Sequence, residues 1–194
     1  MVETDSRRIS LLTGSTAVAM VFMVTVELMF FTGLFSAYIV NRATSRIPWP
    51  PPNLPQLPVF ITGINTAILL FSAVLLTIAL FNIKKKRNVL PLLWGAVSLG
   101  LVFVVIQGIE WVRLLRFGFT IESVGLFASF YYTLIGAHAF HAIAGILAGA
   151  IVMLQFTLKK DSDIKVYNRV GAMSFYWYFV VGIWPFIYYI IYYY

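Results

Sequence analysis

The chain has 194 residues, 61% hydrophobic and 11% charged, with a net charge of +7 and a mean hydropathy of +0.89. A water-soluble domain has nearer half its residues apolar and about a quarter charged, so this composition excludes one. The lack of cysteine excludes disulfides, thiolate metal sites and a thiol nucleophile. The positive charge lies in loops between apolar runs, which is an orientation signal for a membrane and not a nucleic-acid surface.

About 20 mostly apolar residues cross a bilayer as a helix. Five runs qualify, and they predict an all-α membrane bundle of five transmembrane helices in a single domain over 1–194. A transmembrane β-barrel needs short segments of alternating polarity instead. The first run, 16–40, is too long for a secretory h-region and lacks a cleavage site, so it reads as a mature span. It carries one charge, Glu27, in "VTVELMFFTGLF". A carboxylate near mid-membrane costs about 2.5–3.5 kcal/mol on insertion scales, so Glu27 should face protein and not lipid. Two readings stay open: a proton-linked carboxyl, or a neutral acid hydrogen-bonded to a neighbouring helix.

The connector "RIPWPPPNLPQLP", Arg46 to Pro58, has too many prolines for a helix and favours extended polyproline II geometry. It is a stiff link with Trp49 at the interface. The second run, 59–83, is uncharged, and its Asn65 should hydrogen-bond across helices. The third, 89–110, closes on Glu110 near the outer face, and Glu110 is expected with Asn65 among the interhelical polar residues. Arg113 and Arg116 follow it, which suggests an interfacial salt bridge. The fourth, 124–158, is longer than a hydrocarbon core of about 30 Å requires, and is expected as one long protruding helix. The fifth, 170–194, ends in aromatic residues suited to an outer interface, and Pro185 should loosen or kink it.

Arg7, Arg8, Lys84, Lys85, Lys86, Arg87, Lys159, Lys160, Lys165 and Arg169 fall on one side of this arrangement. Arg42, Arg46, Arg113 and Arg116 fall on the other. The positive-inside rule then places the N-terminus in the cytoplasm and the C-terminus outside.

The fourth run holds the chain's two histidines, His138 and His141, in "GAHAFHAIAG". Three residues apart, they lie about 60° from each other on one helix face. Gly145 and Gly149 continue the stripe at the small-xxx-small spacing that lets helices approach closely. Glu27 and the histidines sit at similar depth in oppositely running helices, so a Glu27–histidine contact is geometrically possible and would satisfy both groups without water. Copper or zinc would need more ligands than two imidazoles, and a bis-histidine haem needs ligands on opposite sides of the iron. The expectation is a buried polar network, proton-linked or structural, with no metal or redox centre in this chain.

Six stretches, in order along nearly the whole chain, resemble subunit III of the haem–copper oxidases. "ELMFFTGLFSAY" is similar to that family's glutamate-bearing helix, "WPPP" to its W-P-P loop and "NTAILLFSAV" to its N-T-x-x-L-L helix. "IQGIEWVRLLRFGFTIESVG" resembles the Q-x-x-E-Y/W segment. "GAHAFHAIAG" resembles G-x-H-G-L-H-V-x-x-G, with Ala139 replacing a glycine. "FYWYFVVGIWPFIYYIIYY" resembles Y-W-H-F-V-D-V-V-W-x-F-L-Y, with Tyr178 in place of the histidine and Val181 in place of the aspartate. The short, five-helix form of the family is the nearest match.

The resemblance implies a non-catalytic subunit of a proton-pumping terminal oxidase in a prokaryotic cell membrane. Such a subunit packs on catalytic subunit I, with subunit II in the complex, and holds phospholipid between helix groups. It supports proton uptake and turnover stability, with Glu27 the residue tied to proton uptake. Haem and copper are expected in the partner. Other readings are a subunit III-like accessory protein of nitric-oxide reductase, a proton-coupled transporter with Glu27 and the histidines as relay, and a membrane enzyme with a histidine-bound metal.

Overall fold

The computed structural model describes residues 2–52, 57–85, 88–158 and 163–194. Lys86, Arg87, Lys159 and Lys160, used above for orientation, lie outside the described residues, as do the side chains of Arg7, Arg8, Lys84 and Lys165. Part of the proline-rich connector, 53–56, lies outside them too.

Among the described residues, six helices follow in chain order: α1 (Val2–Thr44), α2 (Val59–Lys84), α3 (Leu90–Arg116), α4 (Ile121–Val124), α5 (Leu126–Leu158) and α6 (Asp163–Tyr192). All but α4 contain a stretch long and apolar enough to cross a membrane: Val18–Thr44, Val59–Ile83, Leu90–Arg116, Leu126–Gln155 and Asn168–Tyr192. The predicted all-helical architecture and its five spans are therefore present.

Helices α2, α3, α5 and α6 form a closed ring in which each touches two neighbours: α2 on α3, α3 on α5, α5 on α6, and α6 back on α2. α1 stands outside this ring, against α6 and the adjoining side of α5. The inward stripe of α3 shows how sequence sets the packing. Leu93, Ala96, Gly100, Phe103, Gln107, Glu110 and Leu114 recur at alternating steps of three and four, which keeps one helix face turned to its neighbours.

The loop before the histidine helix has its own stop and start. Thr120 caps α4, its hydroxyl accepting from the Ser123 N–H at 3.2 Å while the Ser123 hydroxyl accepts from the Thr120 N–H at 3.1 Å. Gly125 then takes φ +72°, a conformation that costs an L-residue, and α5 begins at Leu126. The fourth run is thus one long helix as expected, but it starts after this turn and not at Val124. The Tyr132 hydroxyl donates to the Phe119 carbonyl and ties the turn to α5.

The glycine stripe serves a side chain more than a backbone crossing. The Trp177 indole of α6 lies between Gly145 of α5 and Gly100 of α3, where an added Cβ would meet its ring carbons at 2.6 Å and 2.8 Å respectively. Gly149 likewise leaves room for Val97, which an added Cβ would approach at 2.9 Å. Trp177 and Trp184 are buried in the ring, not displayed at an interface as the aromatic-rich terminus suggested, whereas Tyr189, Tyr193 and Tyr194 are exposed. Their indole N–H groups explain this. Trp177 donates to the Ser72 hydroxyl at 2.9 Å and Trp184 to the Thr66 hydroxyl at 2.8 Å, so each indole finds its acceptor on α2. α6 continues as a helix through Pro185.

Gly145→Ala is expected to destabilise the fold by about 1–3 kcal/mol, because a rigid indole must shift to admit the methyl group. Gly182→Ala, with no heavy atom near its added Cβ, is the control. Thermal unfolding in detergent should show a lower midpoint for the first and no loss for the second.

Candidate functional site: a half-buried carboxylate–imidazole pair

Glu27 comes from α1 and His141 from α5. The Glu27 Oε2 lies 2.8 Å from His141 Nε2, with 27% of the Glu27 side chain and 11% of the His141 side chain exposed. The other ring nitrogen, Nδ1, is 2.6 Å from the Ala137 carbonyl one turn back in α5. A carbonyl oxygen only accepts, so Nδ1 carries a hydrogen. That fixes the meaning of the Glu27 contact. One proton lies between Nε2 and Oε2, and the pair is either imidazolium–carboxylate or imidazole–carboxylic acid. Both forms have zero net charge, which suits an interior poor in water. Without that proton, two lone pairs would face each other across 2.8 Å.

The pair is walled by aromatic residues. The Phe31 ring, one turn after Glu27 and buried, meets the His141 ring edge-on with centroids 5.3 Å apart. Phe30 and Phe140 flank the imidazole. On α6, the Tyr176 hydroxyl donates to the His141 backbone carbonyl at 3.3 Å.

His138 does not join this pair. It turns into the ring, 1% exposed, and its Nε2–H donates to the Val180 carbonyl of α6 at 2.9 Å. Its ring packs on Trp184 and Phe103. Its Nδ1 is buried without a partner. The two histidines therefore serve different seams, His141 between α1 and α5, and His138 between α5 and α6. Among the described residues, no group of three or more His, Cys, Asp or Glu side chains could hold a metal ion.

The other residues singled out from sequence fall elsewhere. The Asn65 side-chain amide donates across the α2–α3 seam to the Phe103 carbonyl at 3.1 Å. Glu110 also faces this seam and is buried, while Arg113 and Arg116 are exposed. Its Oε2 accepts from the Thr62 hydroxyl at 3.0 Å and from the Gln107 amide at 3.3 Å. The interfacial salt bridge expected for Glu110 is replaced by this internal contact, because the i+3 arginine points off the packed face. Trp49 is half-buried among Tyr38 of α1 and Phe127 and Phe130 of α5, so the proline-rich link pins these two helices together. Arg42, on α1, stacks over the Tyr194 ring at 4.0 Å.

The partners of Glu110 and the indoles were missed in the sequence. Thr62, Thr66 and Ser72, recurring on one face of α2, were the available signal, since buried hydroxyls in a span need partners on another helix. Tyr178, which replaces the histidine of the resembled motif, meets the Thr77 hydroxyl at 2.8 Å, so a polar link between α2 and α6 persists there.

Comparison with known proteins places these features in context. The family model described as cytochrome c oxidase subunit III matches residues 8–194. Cytochrome c oxidase subunit 3 of Corynebacterium diphtheriae is 32% identical over 162 residues, covering 81% of this chain and 78% of the relative. Cytochrome bo(3) ubiquinol oxidase subunit 3 of Buchnera aphidicola is 31% identical over 131 residues, 66% of each chain. The heme-copper oxidase subunit I+III of Aeropyrum pernix is 28% identical over 177 residues, 88% of this chain and 22% of that one.

His141→Leu should weaken the docking of α1. An interhelical hydrogen bond in a membrane is worth about 0.6 kcal/mol on average and up to about 1.7, so a loss in that range is expected. Thermal denaturation compared with the unaltered chain would measure it, and an unchanged midpoint would contradict it.

Proposed function

The chain belongs to the cytochrome c oxidase subunit III family, and from that premise we propose that it is a non-catalytic subunit of a proton-pumping haem–copper terminal oxidase. It packs on the catalytic subunit, with subunit II completing the complex. Oxygen reduction takes place at haem and copper in the partner. This chain supports proton uptake, keeps the complex active through repeated turnover and binds phospholipid between its helices.

The observation that carries the reading is the Glu27–His141 pair. It holds one transferable proton in a neutral, walled setting on the segment that resembles the family's glutamate helix. The fused subunit I+III relative supports the partner assignment, since in that protein both parts share one polypeptide. The single-domain reading fits the closed ring of helices, with α1 docked on its outside. The membrane orientation follows the basic loops, with the N-terminus in the cytoplasm of a prokaryotic cell and the C-terminus outside.

A proton-coupled transporter is the second reading, and the same pair would be its relay. Such folds place their sites at interrupted helices. Here α5 passes His141 unbroken, which favours the oxidase reading.

Extraction in a mild detergent should yield the chain together with a haem-bearing subunit that has an oxidase spectrum. A stable, haem-free homo-oligomer, or transport by the purified chain in liposomes, would contradict this. Within the complex, Glu27→Gln should leave assembly intact while slowing proton uptake or shortening the active lifetime. Unchanged turnover and lifetime would make Glu27 a packing residue alone.

A further inference from the structure

The α2–α3 seam holds a second carboxyl group whose surroundings are incomplete. Glu110 and Gln107 are each 3% exposed and stand one turn apart on α3. One half of each group is engaged: the Gln107 Nε2–H donates to Glu110 Oε2, which also accepts from the Thr62 hydroxyl. The other half of each is buried without a partner, namely Gln107 Oε1 and Glu110 Oε1. With Glu110 ionised, both of these oxygens are acceptors and neither has a donor. A buried acceptor left without a donor costs about 1–3 kcal/mol, and more when it is charged.

One hydrogen removes both vacancies. From this geometry we infer that Glu110 binds a proton on Oε1 and forms a cyclic acid–amide pair with Gln107. The Oε1–H donates to Gln107 Oε1, antiparallel to the existing N–H donation to Oε2. The pair is then neutral and its hydrogen bonds are complete. It is a proton-binding site separate from Glu27–His141, on a different helix pair and independent of the oxidase reading.

The groups around it are compatible with a neutral acid. From α2 the contact is a hydroxyl, Thr62. From α5 and α6 they are phenols: Tyr192, at the end of α6, lies beside Thr62, Gln107 and Tyr131, with Tyr188 one turn before it. A neighbouring cation, Arg113, is on the same helix but exposed. The Tyr131 and Tyr192 hydroxyls lie 3.4 Å apart, and the Tyr188 and Tyr193 hydroxyls 3.3 Å apart, so two pairs of phenols lie near this end of α6.

Infrared difference spectroscopy of the full chain, in a detergent without ester carbonyls and at neutral pH, tests this. Subtracting the Glu110→Gln spectrum from that of the unaltered chain should show the loss of one carboxylic-acid C=O band, with a small shift of that band in D2O. Gln107→Leu should retain the band but move it to higher frequency, because the acceptor of its O–H is gone. Glu110→Gln should fold with little change in thermal midpoint, since an amide mimics the neutral acid. Loss of carboxylate bands in place of the acid band would overturn the proposal. So would an acid band unmoved by Gln107→Leu, or failure of Glu110→Gln to fold.

Discussion

The docking of α1 depends on a hydrogen bond made inside its membrane span. Lipid is as apolar as leucine, so burial of side chains supplies no hydrophobic drive between helices there. α1 is the least enclosed of the five spans, and among the described helices it packs on α5 and α6. Its fixed points are few: Glu27 on His141, Arg42 over Tyr194, and the aromatic packing of Phe31 and Tyr38. The Glu27 contact is the polar one near mid-span, and each partner removes the other's desolvation cost. The same feature that seats the helix therefore also supplies a site able to hold a proton.

Within the four-helix ring, polar complementarity decides which helix meets which. α2 presents hydroxyl groups, and α6 answers with indole and phenol donors. Trp177 and Trp184 reach Ser72 and Thr66, and Tyr188 reaches the Val59 carbonyl at 2.9 Å. Two glycines leave the volume that Trp177 fills. His138 locks α5 to α6 on the side nearer Trp184. These contacts hold α5 in place, and α5 carries His141, so the histidine is presented to α1 from a rigid support.

The sequence made the spans and the pair legible for a simple reason. Charge and imidazole are costly in hydrocarbon, so the positions of Glu27, His138 and His141 were informative one by one. Apolar residues were not. In a membrane helix the lipid face and the packed face are both greasy, so periodicity could not tell that Trp177 and Trp184 turn inward while Tyr189 turns out. The partner of Glu110 was out of reach, because neighbouring Arg113 offered a local one and Thr62 lies far away in sequence. The turn at Gly125 lies at the edge of the apolar run, just after the polar residues Thr120, Glu122 and Ser123, and the start of the run at Val124 did not show that the helix begins only after the positive φ of Gly125. The separate roles of the two histidines were equally out of reach, since their spacing put them on one face without saying which neighbour each would meet.

A double-mutant cycle on Glu27 and His141, read from thermal stability in detergent, tests the central claim directly. Glu27→Leu and His141→Leu should each destabilise the fold, and the double variant should lose less than the sum, with a coupling of about 1 kcal/mol, inside the range for polar contacts between membrane helices. Strictly additive losses would show that the two side chains do not depend on each other and would contradict the account.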